Sequence, residues 1–240
     1  MIFKFNDVKY EYKPKIFSTI VSFLALLVLL SLAGWQILRL QWKTKLINER
    51  IAAYESQSLS LSQLKNPSNE EFQRVFLKGK YLNDFEMYMP ALSKNGNNGF
   101  HIIVPFLAEN GENLIFDTGW VPLKLKEKDT RRNYLNNKEG MVQAIIRLPG
   151  KKGRFQPDNE IQNNFWFFVE PELMSKYTGI KLEKKFYLEA FEDGPNGYPL
   201  GNQTRIYIRN NHLQYAITWF LIACGLVGVY IAANVRKVSK

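Results

Sequence analysis

The chain has 240 residues, 46% of them hydrophobic, with a formal net charge of +10 from 32 Lys and Arg against 22 Asp and Glu. Its apolar residues are concentrated in two uncharged runs near the ends, which excludes an ordinary soluble domain and gives the positive charge a membrane rather than a nucleic-acid meaning. The one cysteine, Cys224, excludes a disulfide framework and a Cys-x-x-Cys pair for thiol exchange or copper delivery.

Residues 1–15 read as a basic cytoplasmic tail carrying Lys4, Lys9, Lys13 and Lys15, with Asp7 and Glu11 and no arginine. That is unlike an Arg-rich, acid-poor transit peptide, so a bacterial inner (plasma) membrane is expected. Residues 16–38 carry no charge, and at 1.5 Å rise per residue they cover roughly the 30 Å of a hydrocarbon core, as a transmembrane helix must. Ser31-Leu32-Ala33 has a small-x-small pattern, but the apolar run exceeds a signal peptide's, so an uncleaved anchor is expected. Trp35, Arg39 and Trp42 recur at i, i+4 and i+7, one face of a helix leaving the bilayer. Residues 39–65 continue with helical spacing to about Ser62, as an extension standing in the outer aqueous phase. Asn66-Pro67-Ser68-Asn69 breaks the pattern.

Residues 66–212 are predicted to form a β-rich periplasmic domain, because short β-branched and aromatic runs alternate with Gly, Asn and Pro. Strands are expected near Arg74–Leu82, Glu86–Met89, His101–Leu107, Leu114–Phe116, Val142–Leu148, Phe165–Val169, Phe186–Phe191 and Arg205–Ile208. A helix is expected around Pro171–Tyr177, and a basic insert at Lys124–Lys138 that is a solvated loop or a short helix. Residues 213–233 form the second predicted transmembrane helix, and 234–240 a second basic tail. The positive-inside rule then gives a two-pass chain, N-in and C-in, since a long middle segment translocates largely regardless of its charge. The fold class expected is membrane α+β: two transmembrane helices flanking a mostly antiparallel, barrel-like outer domain.

Complete active sites are not evident. Ile115-Phe116-Asp117-Thr118-Gly119 has the aspartic protease signature, where two carboxylates share a proton, but it occurs once and Trp120 follows where that family has a small residue. Membrane-anchored proteolysis is therefore the weakest function considered, and a strand-to-turn role the stronger one for the triplet. His101 sits in an apolar strand, as a satisfied structural histidine does. His212 stands where the second helix enters the bilayer, at the depth where Trp35 and Arg39 leave it. On that helix His212, Tyr215 and Trp219 recur at i, i+3 and i+7, while Gly225, Gly228 and Ala232 offer a surface for another helix. An imidazole with Arg39, Arg205 and Arg209 nearby suits an amphipathic, anionic, metal-bearing ligand such as haem. The competing reading is an interfacial aromatic belt with a snorkelling arginine and a histidine that binds nothing.

Five stretches, in order between the two spans, resemble the surfeit locus protein 1 family of cytochrome c oxidase assembly factors. They are Gly34-Trp35-Gln36-x-x-Arg39 with Trp42-Lys43; Arg74-Val75-x-x-x-Gly79-x-Tyr81; Gly99-Phe100-His101-x-x-x-Pro105; Gly119-Trp120-Val121-Pro122; and Asn211-His212-Leu213-Gln214-Tyr215-Ala216-x-x-Trp219. The resemblance implies a non-enzymatic role in building the haem a centre, with subunit I as partner, haem a synthase as a further one, and transiently bound haem a as cofactor. By that analogy His212 is the candidate iron ligand, and Tyr215, Trp219, Trp35, Arg39 and Arg209 complete the candidate site. The alternative is a scaffold that stabilises an assembly intermediate without touching haem. Where the family usually has Asn-Arg-Gly-Trp, this chain has Asp117-Thr118-Gly119-Trp120, which accounts for the protease-like triplet as a substitution within a turn.

Overall fold

The computed structural model describes residues 2–5, 8–135 and 139–238. In chain order these form β1 (Ile2–Phe5), β2 (Val8–Tyr12), α1 (Ile16–Glu55), β3 (Leu59–Ser60), β4 (Arg74–Tyr81), β5 (Met87–Leu92), β6 (Asn98–Ala108) and β7 (Asn113–Pro122). There follow β8 (Gly140–Arg147), α2 (Pro171–Thr178), β9 (Tyr187–Ala190), α3 (His212–Asn234) and β10 (Val235–Lys237). The chain divides into two compact units, Met1–Ile47 with Ile208–Lys240, and Asn48–Tyr207.

The first unit is an antiparallel helix pair closed by a small sheet. Both α1 and α3 are long and apolar enough to cross a bilayer. α1 is a single helix of 40 residues, roughly 60 Å at 1.5 Å per residue, so the apolar run and the polar extension are one continuous rod that ends at Glu55. The helices meet along a stripe that recurs every three or four residues. On α3 it comprises His212, Ala216, Trp219, Ala223, Leu226, Tyr230 and Asn234, all buried or half-buried. Ala216 and Ala223 let the backbones approach closely, as small residues do where lipid supplies no hydrophobic driving force between helices. Polar pairs fix the register: Thr19 Oγ1 and Tyr230 Oη are 2.7 Å apart, and Asn210 Nδ2 donates to Thr44 Oγ1 at 3.1 Å. The remaining surface exposes Phe17, Leu24, Val28 and Val229, an apolar exterior that suits lipid. Gly225 and Gly228 lie on that exterior, where an added Cβ meets nothing within 4 Å; α1 packs on the alanine stripe instead. The two tails, read from sequence only as basic, pair with each other in a sheet of order β1-β2-β10.

The second unit is a barrel. Its strands run β4-β8-β9-β7-β6, and a β4–β6 pairing closes the circle; β3 and β5 extend the edges of β4 and β6. Every ladder of the barrel is antiparallel except β7–β9. Val75, Leu77, Val104, Phe106, Phe116, Ile146 and Leu188 fill the interior, where Tyr81 packs edge-on against Phe106 and Phe116. Ile103 and Ile115 face the other way, into a second cluster with Met87, Trp166, Met174 and Leu182 under α2. β6 and β7 are thus covered on both faces, which is why Ile102-Ile103-Val104 is apolar without alternation. Position 99 requires glycine: a Cβ there would stand 2.5 Å from the Trp120 ring and 2.1 Å from Val121 O.

The structure corrects several sequence expectations. Phe165–Val169 is not a strand; Phe165 alone makes isolated bridges, to Tyr88 and Glu160. The Asn159 side chain serves this segment in place of a ladder, accepting from Phe167 N and Phe168 N, while Trp166 inserts fully into the outer cluster. Arg205–Ile208 joins no sheet, and the strand expected at Glu86–Met89 runs Met87–Leu92. Of the two forms expected for the basic insert, the short helical one is found, and it is not wholly solvated. Residues Lys128–Tyr134 form 3-10 turns whose Arg131 is 2% exposed and bonds Glu86 with both terminal nitrogens. Asn136–Lys138 lie outside the described residues.

Candidate functional site

His212 opens α3, and its neighbour across the helix seam is Gln36, the one buried residue of α1. A carboxamide buried on an apolar helix must find a partner, and Gln36 Oε1 stands 2.7 Å from His212 Nδ1. A carbonyl oxygen can only accept, so Nδ1 donates this hydrogen bond, and in the neutral imidazole Nε2 then presents its lone pair. The same arrangement orients metal-ligating histidines elsewhere: a hydrogen bond at one ring nitrogen sets the tautomer and holds the ring for a ligand at the other.

The other expected residues are distributed around this pair. Trp219 lies in the seam two turns along α3 from His212, half-buried. Tyr215 and Trp35 face outward, 54% and 51% exposed. Arg39 is exposed with its guanidinium 4.4 Å from the Trp42 ring centroid, a cation–π stack that keeps the charge at the surface. Arg209 is exposed just before α3. The structure therefore brings Gln36 and His212 together, with Trp219 two turns further along the seam, and leaves Trp35, Arg39, Tyr215 and Arg209 on the outside of the same unit. Arg205 belongs to the second unit. Sequence reasoning missed Gln36, although it stands within the Trp35-Gln36-x-x-Arg39 motif. The signal available was a lone amide in an apolar run, at the depth of a histidine on the other run.

The donor set constrains what could bind. Among the described residues no group of three or more His, Cys, Asp or Glu could hold a bare metal ion. A macrocycle that brings its own equatorial nitrogens needs only one axial residue, and His212 Nε2 can be that residue. Exposed guanidinium groups suit propionates, and outward aromatic faces suit a flat apolar ring. These residues fit haem.

The protease-like triplet is occupied otherwise. Asp117, 2% exposed, accepts a hydrogen bond from Gly119 N at 2.9 Å and lies 2.6 Å from His101 Nδ1. Thr118 Oγ1 donates to Ile102 O, so the triplet builds the irregularity where the β6–β7 register shifts between His101 and Ile103. Burial alone would lower the His101 pKa, but the Asp117 charge and hydrogen bond, with Glu189 beyond, hold it above the ordinary value.

The chain matches the SURF1 family over residues 23–224. It is 29% identical to surfeit locus protein 1 of Takifugu rubripes over 226 residues, 87% of this chain and 93% of that protein. It is 26% identical to a SURF1-like protein of Rickettsia conorii over 223 residues, covering 90% of this chain and 91% of the relative. Human surfeit locus protein 1 is 28% identical over 206 residues, 79% of this chain and 68% of its own length. With the match running from within the first long apolar helix, through the barrel segment and into the second, the chain belongs to the SURF1 family.

Proposed function

We propose that this protein is a cytochrome c oxidase assembly factor of a bacterial inner membrane, two-pass with both tails cytoplasmic and the barrel in the periplasm. It accepts haem a transiently at His212 and presents it to subunit I, with haem a synthase as the source. The observation that carries this reading is the Gln36–His212 hydrogen bond, which engages Nδ1 and so leaves the ligand role to the Nε2 lone pair of the neutral ring. The protein supplies binding and orientation, and the redox chemistry stays with the cofactor. Arg39 and Arg209 would meet the propionates, while Trp35, Tyr215 and Trp219 would line the apolar approach. The charge distribution supports the orientation: basic residues stand outside both apolar runs at the tail ends.

The test is the absorption spectrum of the detergent-purified protein from cells making haem a. The wild type is expected to show a haem a band, and His212→Ala to lose it. Unchanged haem retention in that variant removes His212 as ligand. A wild type that carries no haem yet co-purifies with subunit I supports the scaffold alternative, for which the open Gly225 and Gly228 surface of α3 offers a place for a partner helix.

A further inference from the structure

The sheet made by the two tails is amphipathic by register. β2 pairs Tyr12 with Val235 and Glu11 with Arg236, and β1 puts Phe3 at the position across from Tyr10 and Lys4 across from Lys9. Directly paired residues share a face and successive residues alternate, so Tyr10, Tyr12 and Val235 lie on one face and Lys9, Glu11 and Arg236 on the other. The sheet joins α3 directly and α1 through the short Lys13-Pro14-Lys15 connection. Lys13 N donates to Asn234 O at 2.9 Å, and β10 begins at the residue after α3 ends. The Tyr12 hydroxyl bonds that of Tyr230, one turn inside the end of α3. The aromatic face therefore looks back along the helices, toward the apolar runs, and the charged face looks away.

We propose that this sheet is an interfacial foot, lying on the bilayer with its Tyr10, Tyr12 and Val235 face at the level of the lipid headgroups. The inference rests on the reading that α1 and α3 cross a bilayer. Tyrosine suits that depth because its ring is apolar and its hydroxyl can meet water or phosphate. Lys237, which pairs with Tyr10 and so shares the aromatic face, has a stem long enough to carry its ammonium to a lipid phosphate. Lys13 and Lys15, both exposed at the entry to α1, stand at the same level. A foot of this kind would clamp both helix ends at one depth and hold the His212 end of the pair at the opposite surface.

The full chain with Cys224→Ser can be labelled at single cysteines with nitroxide, in nanodiscs of phosphatidylcholine and phosphatidylglycerol. Collision rates with oxygen and with a water-soluble nickel chelate then report depth. At Tyr10→Cys oxygen access is expected to exceed nickel access several-fold, and at Lys9→Cys and Glu11→Cys the preference is expected to reverse. Equal water exposure at all three overturns the proposal, and so does protection of position 10 from both probes, which would mean it packs on protein. A Val21→Cys label within α1 separates the two readings. If it reports lipid while the tail positions fail, only the foot is lost; if it reports water, the membrane reading falls and the foot with it.

Discussion

The helix pair and the barrel solve the packing problem in opposite ways. In the barrel, apolar side chains leave water for two clusters, and the polar groups that go with them are paired: Arg131 with Glu86, Asp117 with His101, Trp166 Nε1 with Asn164 Oδ1. In the helix pair the exterior is as apolar as the seam, so burial of apolar surface cannot say which faces meet. Small residues and a few polar pairs spaced along the seam decide it. A polar contact in the barrel is thus an obligation created by burial, whereas in the helix pair it is the instruction for assembly.

The largest effect should come from breaking an obligation. Glu86→Ala leaves the Arg131 guanidinium buried and unpaired, with side chains only 1% and 4% exposed in the native pair, and should cost about 3–5 kcal/mol. Thermal unfolding of the purified full chain measures it. The double variant Glu86→Leu with Arg131→Met should regain most of that loss; equal damage in single and double variants would show that the pair does more than neutralise itself.

A smaller, pH-dependent effect is expected at His101. Its pKa in the folded chain lies above the ordinary 6.5, so the stability contributed with Asp117 is fully present below about pH 6.5 and is lost as the pH rises through the raised value. Unfolding of the wild type across that window should show this decline, and Asp117→Asn should flatten it. A wild-type profile already flat would mean that His101 is neutral in the fold.

The smallest energetic effect, about 1 kcal/mol of helix association, is expected for Gln36→Leu, because a single hydrogen bond between two apolar helices contributes only modestly. Its chemical effect is more specific. Nitrogen NMR shifts of His212 should report the Nδ1–H tautomer in the wild type without any haem, and a mixture with the Nε2–H form in the variant. The same mixture in both proteins would remove Gln36 as the group that orients the ring.

Much of the barrel was legible because its strands obey local rules. The runs at Arg74, His101 and Val142 are β-branched and aromatic, and turns such as Glu109-Asn110-Gly111-Glu112 separate them. Phe165–Val169 obeys the same rule and still is not a strand, since the Asn159 side chain supplies what a neighbouring ladder would have supplied. Arg131 was hidden inside a run of charge that resembled a solvated loop. Only the position of Glu86, 45 residues earlier, makes it a core residue.

The sequence by itself determined the two apolar helices, the β-rich segment between them and the place of His212 at the start of the second helix. Those features follow from hydropathy and local spacing, which any stretch of chain carries within itself. Tertiary structure alone decided which faces of the helices meet, that Gln36 rather than Trp35 or Arg39 bonds His212, and that the two tails form one sheet. Each of these is a pairing between residues far apart in the chain, and on a surface apolar all round no local pattern specifies the partner.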